Sequence, residues 1–285
     1  KCGNSLAAGF RDAMTGLLQK CMKNRAAGHG IRLWPGRTWY RRRKVGTMSM
    51  EILGKTLSEK AEKLYNEITG ELIYPVNILK MDPENTEDCS HPVAMDTGKK
   101  EFIVKVDSGL EDYLFENALV RDLIYCQQMS NQAPSLTPVS DKDIDAYQTA
   151  MMISSVIMDI DVENKLKAND MHIDDIDTMR LSDLFAFLKA GMSDYNRKLY
   201  HILVGLQITL LLFTTSKKEN VQQIIETFYL SDKEAMDMID KFVDIIDKYG
   251  VDDNRSMMRC MRKLGLACDM KGRLNLEYEG KITAL

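Results

Sequence analysis

The segment from Glu111 to Gln128 (EDYLFENALVRDLIYCQQ) constrains the fold more than any other part of the chain. Its apolar residues recur at helical spacing with no internal Gly or Pro, which predicts a long buried helix. Three polar residues, Arg121, Asp122 and Tyr125, interrupt the apolar run at positions i, i+1 and i+4. Those positions lie on roughly one side of a helix, so the sequence predicts three polar side chains on one inward-facing surface.

Four segments follow one another here in the order strand, turn, helix and loop: Glu101–Val106 (EFIVKV), Asp107-Ser108-Gly109, the helical segment, and a Pro-containing stretch (SNQAPSLTP). This order resembles the strand, active-site helix and exit loop of zinc metallopeptidases that carry an H-E-x-x-H helix. In that family two His at i and i+4 hold Zn²⁺, and the Glu beside the first His acts as general base. The resemblance implies a zincin-like α+β core.

The chain departs from this family at the motif itself, where the window reads Arg121-Asp122-Leu123-Ile124-Tyr125. Arg121 and Tyr125 stand at the two His positions, and Asp122 stands at the Glu position. A guanidinium cannot be deprotonated to bind a metal, and a phenol is a poor substitute for imidazole at neutral pH. The resemblance therefore implies a zincin-like scaffold, and the residues at the motif argue against zinc-dependent hydrolysis. An ordinary buried helix, with its Arg and Asp satisfied by neighbours, explains the same pattern without shared ancestry.

A downstream helix supplies the third zinc ligand of such peptidases as a carboxylate. The resemblance assigns that place to Asp159 and Glu163, which lie at i and i+4 of a helix predicted to start near Ile144. We expect Arg121 to pair with one of them. The alternative interpretation is a solvated acidic face that also contains Asp161.

Residues 1–47 differ from the rest of the chain. They hold eleven basic residues against Asp12 alone, a net charge of +10, so the whole-chain charge of −4 leaves −14 for the remainder. Such an arm, with Trp34 and Trp39 interleaved, could bind nucleic acid, whereas the acidic remainder is not suited to do so. We favour a disordered or non-native extension. The stretch Lys44-Val45-Gly46 can be encoded by a purine-rich run like a ribosome-binding site, which suggests a native start at Met48 or Met50.

Cysteine spacing and hydropathy bear on location. The six cysteines form no C-x-x-C pair, which favours reduced thiols and a cytoplasmic protein. The most apolar run, Leu199 to Phe213, is shorter than a membrane span and contains His201 and Gln207, which predicts a core helix and no membrane partner. None of the four histidines has a partner at i+3 or i+4, so a zinc site would need residues from separate loops.

The predicted fold is α+β, with a small N-terminal mixed or antiparallel sheet packed on the central helix and a mostly helical C-terminal half. The predicted divisions are an extension over 1–47, the zincin-like core over 48–168, and a helical part over 169–285 packed on the same core. Leu72–Leu79 should be an edge strand or two short pieces, because Pro75 cannot donate a ladder hydrogen bond. The segment 81–100 is polar and turn-rich. The tail Arg273–Ile282 alternates like a strand that could join the sheet near Glu101–Val106.

Capping patterns add predicted helix boundaries. Boxes of the S-x-x-E or S-x-x-D type predict helix starts at Ser140, Ser216 and Ser231. Gly250 and Gly265 are predicted to end helices.

The function expected from these features is non-catalytic. It is a metallopeptidase-like protein that binds a peptide or protein partner by strand addition, in a groove beside the strand Glu101–Val106 and without a cofactor. One alternative is an active metal-dependent hydrolase whose zinc is held by Asp122, Asp159, Glu163 and a distant His. Another alternative is nucleic-acid binding through residues 23–44, which requires that residues 1–47 are native.

Overall fold

A computed structural model describes residues 49–82, 84–85, 92–190 and 196–285 of the 285-residue chain. The basic arm over 1–47 and its nucleic-acid interpretation lie outside the described residues. The described part is α+β, with small sheets, eight helices and a mostly helical C-terminal half, as the sequence predicts. None of the helices in these ranges combines the length and the apolar character needed to cross a membrane.

The chain divides into two compact units, and the division falls inside the central helix. Within the described ranges, the first unit comprises the residues from 49 to 71 and from 75 to 120, and the second comprises those from 72 to 74 and from 121 to 285. The C-terminal half of the central helix contacts a later helix, through Arg121 to Glu163 and Tyr125 to Asp159. The domain boundary expected near 168 stays a prediction.

The first unit contains a short hairpin, a helix and a three-stranded sheet. Its elements are β1 (Glu51–Ile52), β2 (Lys55–Thr56), α1 (Glu59–Glu71), β3 (Val76–Lys80), β4 (Val93–Asp96), β5 (Glu101–Val106) and the start of α2 (Asp112–Ser130). Ser58 caps α1, because its Oγ accepts a hydrogen bond from the Ala61 N–H at 3.3 Å. The helix buries one stripe of Ala61, Leu64 and Ile68.

The sheet of the first unit has the order β3-β5-β4, with β3 parallel and β4 antiparallel to β5. Along β5, Phe102, Val104 and Val106 are buried and alternate with partly exposed residues, as the period-two pattern predicts. β3 is an edge strand, as Pro75 implied, although it begins at Val76.

Two expectations about this sheet are wrong. The turn-rich segment 81–100 contains strand β4, which pairs with β5 along its whole length. Because β3 and β4 occupy both edges of β5, the strand Glu101–Val106 has no free edge for an added peptide. The alternation of residue types along Glu101–Val106 predicted that β5 is a strand, but it did not predict which strands pair with β5.

The second unit is mainly helical. It contains the C-terminal half of α2 and the following elements: β6 (Ser135–Pro138), α3 (Ile144–Ala168), α4 (Asp174–Ala190), α5 (Arg197–Thr214), α6 (Lys218–Ser231), α7 (Lys233–Tyr249), α8 (Asn254–Ala267), β7 (Leu274–Tyr278) and β8 (Lys281–Ala284). α5 is buried along most of its length and packs against α3, α4, α6 and α7. The apolar run Leu199–Phe213 is therefore a core helix, as predicted.

The C-terminal tail forms a strand, but in a different sheet from the one expected. β7 pairs antiparallel with β6 and β8, with Leu136 opposite Leu276. The expectation that the tail joins the sheet of Glu101–Val106 is wrong. Its partner strand, β6, lies in the Pro-containing stretch that the sequence predicted to be a loop.

The predicted serine caps are also wrong. Asp143 and Asp232 start α3 and α7 by accepting hydrogen bonds from the N–H groups of Ala146 and Ala235, whereas Ser231 is the last residue of α6. A carboxylate is a stronger acceptor for these N–H groups than a hydroxyl, because its bond is charge-assisted.

The two predicted glycine stops have different outcomes. Gly250 follows α7 with φ +68°, as predicted. Gly265 lies inside α8, where a Cβ would approach Leu285 Cδ2 to 2.4 Å. Gly265 is therefore explained by close packing and not by a helix end.

Candidate functional site

The inward-facing residues of α2 meet the predicted carboxylates of α3. Arg121 Nη2 donates a hydrogen bond to Glu163 Oε1, and Tyr125 Oη donates one to Asp159 Oδ1. Arg121 and Tyr125 are spaced i, i+4 on α2, and Asp159 and Glu163 are spaced i, i+4 on α3. Two contacts therefore form side by side between the two helices. The expected pairing of Arg121 is confirmed, and its partner is Glu163.

Glu163 is the centre of a larger charge network. Its side chain is fully buried, and its Oε1 also lies 3.0 Å from Arg180 Nη1 of α4, an ion pair that lacks the alignment of a hydrogen bond. Its Oε2 lies 3.1 Å from His172 Nδ1. Burial alone would raise the pKa of Glu163, but the charges of Arg121 and Arg180, with hydrogen bonds from Arg121 and His172, lower it to about 2. Glu163 is therefore ionised throughout the physiological pH range.

The network extends from Glu163 to the first turn of α4 and to Ser216, before α6. His172 lies between α3 and α4, and its Nε2 is 3.1 Å from Asp177 Oδ2. Asp177 is fully buried, and the same oxygen accepts hydrogen bonds from the Ser216 N–H at 2.6 Å and from Ser216 Oγ at 2.7 Å. Ser216 therefore binds a buried carboxylate instead of capping α6, as its sequence pattern had predicted.

The expectation of a solvated acidic face on α3 is wrong. Glu163 is 0% exposed and Asp161 is 5% exposed. Asp161 accepts a hydrogen bond from Gln128 Nε2 at 2.8 Å and pairs with Lys165. These carboxylates are buried because cations and amide donors on neighbouring turns and helices compensate the loss of water.

Asp122 lies apart from this network. It is 8% exposed, and within the described residues it has no hydrogen-bond or ion-pair partner. Burial raises the pKa of Asp122 to about 7, although the charge of Arg121 opposes the shift. Burial and the nearby Asp122 raise the pKa of Cys126 to about 12, which makes this thiol a poor nucleophile.

The charged side chains between α2 and α3 compensate one another. Burial would lower the pKa of Arg121, but the Glu163 carboxylate raises it, so the guanidinium stays charged. Burial and the Asp159 carboxylate raise the pKa of Tyr125, so the phenol keeps its proton. Neither side chain can act as a metal ligand in this state. Both carboxylates assigned as the third ligand are already bonded to them.

Sequence reasoning missed His172, Asp177, Arg180 and Ser216 as members of the site. Glu163 and Asp177 are nine and five residues away from His172 in sequence, and no i+3 or i+4 spacing marks them as its neighbours. Searches of protein-family models, of curated proteins and of solved structures found no match to this chain. A functional assignment therefore rests on the contacts of these side chains.

Replacement of Asp122 with Asn should stabilise the protein, most strongly at alkaline pH. The folded-state pKa of about 7 exceeds the ordinary value of 3.8, so the buried carboxylate destabilises the fold above pH 7 and this cost shrinks as the pH falls toward 4. At ~1.4 kcal/mol per pKa unit, the gain at pH 8 has an upper bound of ~4 kcal/mol and falls below ~2 kcal/mol at pH 5. Urea unfolding, followed by circular dichroism at pH 8 and at pH 5, measures this gain in the free energy of unfolding.

Asp237 is an exposed aspartate on α7, so Asp237→Asn serves as the control and should show no such pH dependence. Equal stability of Asp122→Asn and the parent at pH 8 would contradict the unpaired burial of Asp122.

Replacement of Glu163 with Gln should destabilise the protein by about 3–5 kcal/mol, because it leaves two buried guanidinium groups without their counter-charge. The folded-state pKa of about 2 lies below the ordinary 4.5, so the stabilisation by Glu163 is complete above pH 4.5 and is lost as the pH falls toward 2. The difference between parent and variant should therefore shrink over that interval in urea unfolding. Glu67→Gln removes the exposed Lys63–Glu67 pair and should change stability by less than about 0.5 kcal/mol. A loss no larger for Glu163→Gln than for Glu67→Gln would exclude a central role for the network.

Proposed function

We propose that the chain is a non-catalytic protein, related in scaffold to zinc metallopeptidases, that binds an extended peptide along strand β4. The observation that carries the non-catalytic part is the pairing of Arg121 with Glu163 and of Tyr125 with Asp159. These are the positions at which the family would place two metal-binding imidazoles and a carboxylate.

A metallopeptidase needs an open coordination position and a metal-activated water. At this site the carboxylate of Glu163 is shared among Arg121, Arg180 and His172. A metal ion at the same place would have to displace two permanently charged guanidinium groups and would meet their repulsion. This charge balance supports the proposal that the protein has the helix pair of the peptidase scaffold but not its hydrolytic activity.

The sheet of the first unit supports peptide binding, at its edge and not at its centre. Lys105 N–H donates to the Pro92 carbonyl at 2.7 Å, which makes residues 92 and 105 a hydrogen-bonded pair of the antiparallel β4–β5 ladder. Such pairs alternate along the ladder, so the backbone N–H and C=O groups of Val93 and Met95 point away from β5. No strand in the described part of the chain pairs with that outer edge.

The side chains of β4 also suit an added strand. Val93 and Met95 lie on the same face as their buried partners Val104 and Phe102, and Met95 is 38% exposed. Apolar residues on one face of an edge strand offer shallow pockets to alternate side chains of a peptide, while the backbone supplies the hydrogen bonds.

The other edge of the sheet is less suitable. The Phe102 N–H donates to the Pro75 carbonyl at 2.8 Å, and the Met81 N–H donates to Val106 at 3.0 Å. In the parallel ladder this alternation leaves Val76, Ile78 and Lys80 with their backbone groups pointing outward. A lysine on an edge strand disfavours pairing with another strand, so β4 is the proposed site.

The proposal places the protein in the cytoplasm. Cys126, Cys260 and Cys268 are buried free thiols, as expected of a reducing compartment.

A proline at Met95 should abolish peptide binding, since it removes the outward N–H while leaving the hydrogen-bonded pairs on either side of it in place. The probe is a library of random dodecapeptides displayed on phage, selected on the full chain, with the selected peptides then measured by fluorescence polarisation. Ile78→Pro, which removes an outward N–H of β3, is the matched control and should leave affinity unchanged. Met95→Ala keeps the N–H and should weaken binding by less than about tenfold, in line with the loss of one partly buried side chain.

Bound peptides should remain intact on prolonged incubation when they are analysed by mass spectrometry. Cleavage that depends on Asp122 or Glu163 would overturn the non-catalytic assignment. Equal binding by the parent and Met95→Pro, in a variant with unchanged circular dichroism, would overturn the assignment to β4.

A further inference from the structure

Three side chains near the start of α4 bring metal-binding atoms together. One ring nitrogen of His172 and one carboxylate oxygen from each of Asp174 and Asp177 lie within 4.8 Å of one another. Asp174 is exposed, His172 is partly buried and Asp177 is fully buried. The cluster therefore has one buried wall and one open side.

Both ring nitrogens of His172 face carboxylates. Nδ1 lies 3.1 Å from Glu163 Oε2, and Nε2 lies 3.1 Å from Asp177 Oδ2. With the hydrogen on Nδ1, Nε2 presents a lone pair toward Asp177, which is the arrangement that a cation between the two atoms requires.

The acidic side of the cluster has too few donors. Ser216 Oγ lies 2.7 Å from Asp177 Oδ2 and 2.8 Å from Asp174 Oδ1, although a hydroxyl has only one hydrogen. The second oxygen of Asp177, Oδ1, is buried and has no hydrogen-bond partner within the described residues. A buried carboxylate oxygen without a donor is costly, and a bound cation would satisfy it.

Nearby cations do not reach the unpartnered oxygen of Asp177. Arg180 is directed to Glu163, and Lys217 Nζ donates to Thr178 Oγ1 at 2.5 Å. Burial lowers the pKa of Lys167 and the charges of Asp177 and Glu163 oppose that shift, so Lys167 acts on the cluster at longer range. Among the described residues, only His172 lies within ion-pair distance of Asp177. The cluster thus combines two carboxylates and an imidazole nitrogen.

We propose that His172, Asp174 and Asp177 bind one zinc-type divalent cation, with Ser216 Oγ beside it. One imidazole and two carboxylates form a ligand set that zinc accepts, leaving a position for water, and the imidazole favours zinc over Mg²⁺ and Ca²⁺. The bond from His172 Nδ1 to Glu163 orients the ring as an outer-shell carboxylate does in zinc sites. The ion connects the segment before α4 with the segment before α6. The proposed metal site adjoins the Glu163 network through His172, does not use Arg121 or Tyr125 as ligands, and does not depend on the proposed peptide binding.

His201 provides an internal comparison. It also lies between two carboxylates, with Nε2 2.9 Å from Asp232 and Nδ1 3.3 Å from Glu234. In the described ranges, however, these three residues do not form a cluster with metal-ligand spacing, whereas those at His172 do. His201→Gln is therefore the matched control for His172→Gln.

Isothermal titration of the full chain with ZnCl₂, after removal of metals with a chelator and dialysis, tests the site. The parent should bind zinc with a component that is weakened at least tenfold in Asp174→Asn and in His172→Gln, and that is unchanged in His201→Gln. Asp174 is exposed, so Asp174→Asn should keep the parent circular dichroism and remains informative if His172→Gln unfolds. Zinc should also raise the Tm of the parent but not that of Asp174→Asn.

Three outcomes would overturn the proposal. The first is a parent that binds no zinc. The second is zinc binding that Asp174→Asn and His172→Gln leave unchanged, which would assign the ion to other groups. The third is Mg²⁺ or Ca²⁺ binding as strong as that of zinc at this cluster, which would exclude the imidazole as a ligand.

Discussion

The burial of the Glu163 carboxylate is the constraint on which the second unit depends. A buried carboxylate is tolerated only when cations and hydrogen-bond donors replace its water. Here they come from three places in the chain: Arg121 on α2, His172 before α4, and Arg180 on α4. The ion pairs therefore join α2 and α4 to α3. Because each of these contacts is directional, we expect the network to favour this arrangement of the helices over others that would bury the same apolar area.

The same constraint bears on function. Between α2 and α3 the charges of Arg121 and Glu163 compensate each other, and Tyr125 donates a hydrogen bond to Asp159. Asp122 lies outside the network, and burial raises its pKa to about 7. A raised pKa is often a mark of an active site, but burial alone also produces it, so the pKa by itself assigns no reaction to Asp122.

Local sequence patterns predicted a substantial part of this structure. The spacing of Arg121 and Tyr125 against Asp159 and Glu163 indicated two facing helices, and period two identified β5. Patterns failed where the answer depends on residues far away in the chain. Strand β6 looked like a loop because its partner β7 lies more than 130 residues later. His172 looked isolated for a different reason: Glu163 and Asp177 are nine and five residues away in sequence, and no i+3 or i+4 spacing marks them as its neighbours. Ser140 and Ser231 matched a capping pattern, yet Asp143 and Asp232 cap the helices because a carboxylate is the stronger acceptor.

The proposal that the chain shares the scaffold of zinc metallopeptidases places Arg121 and Tyr125 at two metal-ligand positions that face the Glu163 and Asp159 carboxylates. The most direct test replaces both residues with His and counts the zinc bound per chain by elemental analysis, relative to the parent. The account predicts one additional zinc in Arg121→His/Tyr125→His, and its loss when Glu163 and Asp159 are also changed to Gln and Asn. A folded double variant that binds no more zinc than the parent would contradict the claim, since two imidazoles at these positions would then fail to form a site with those carboxylates.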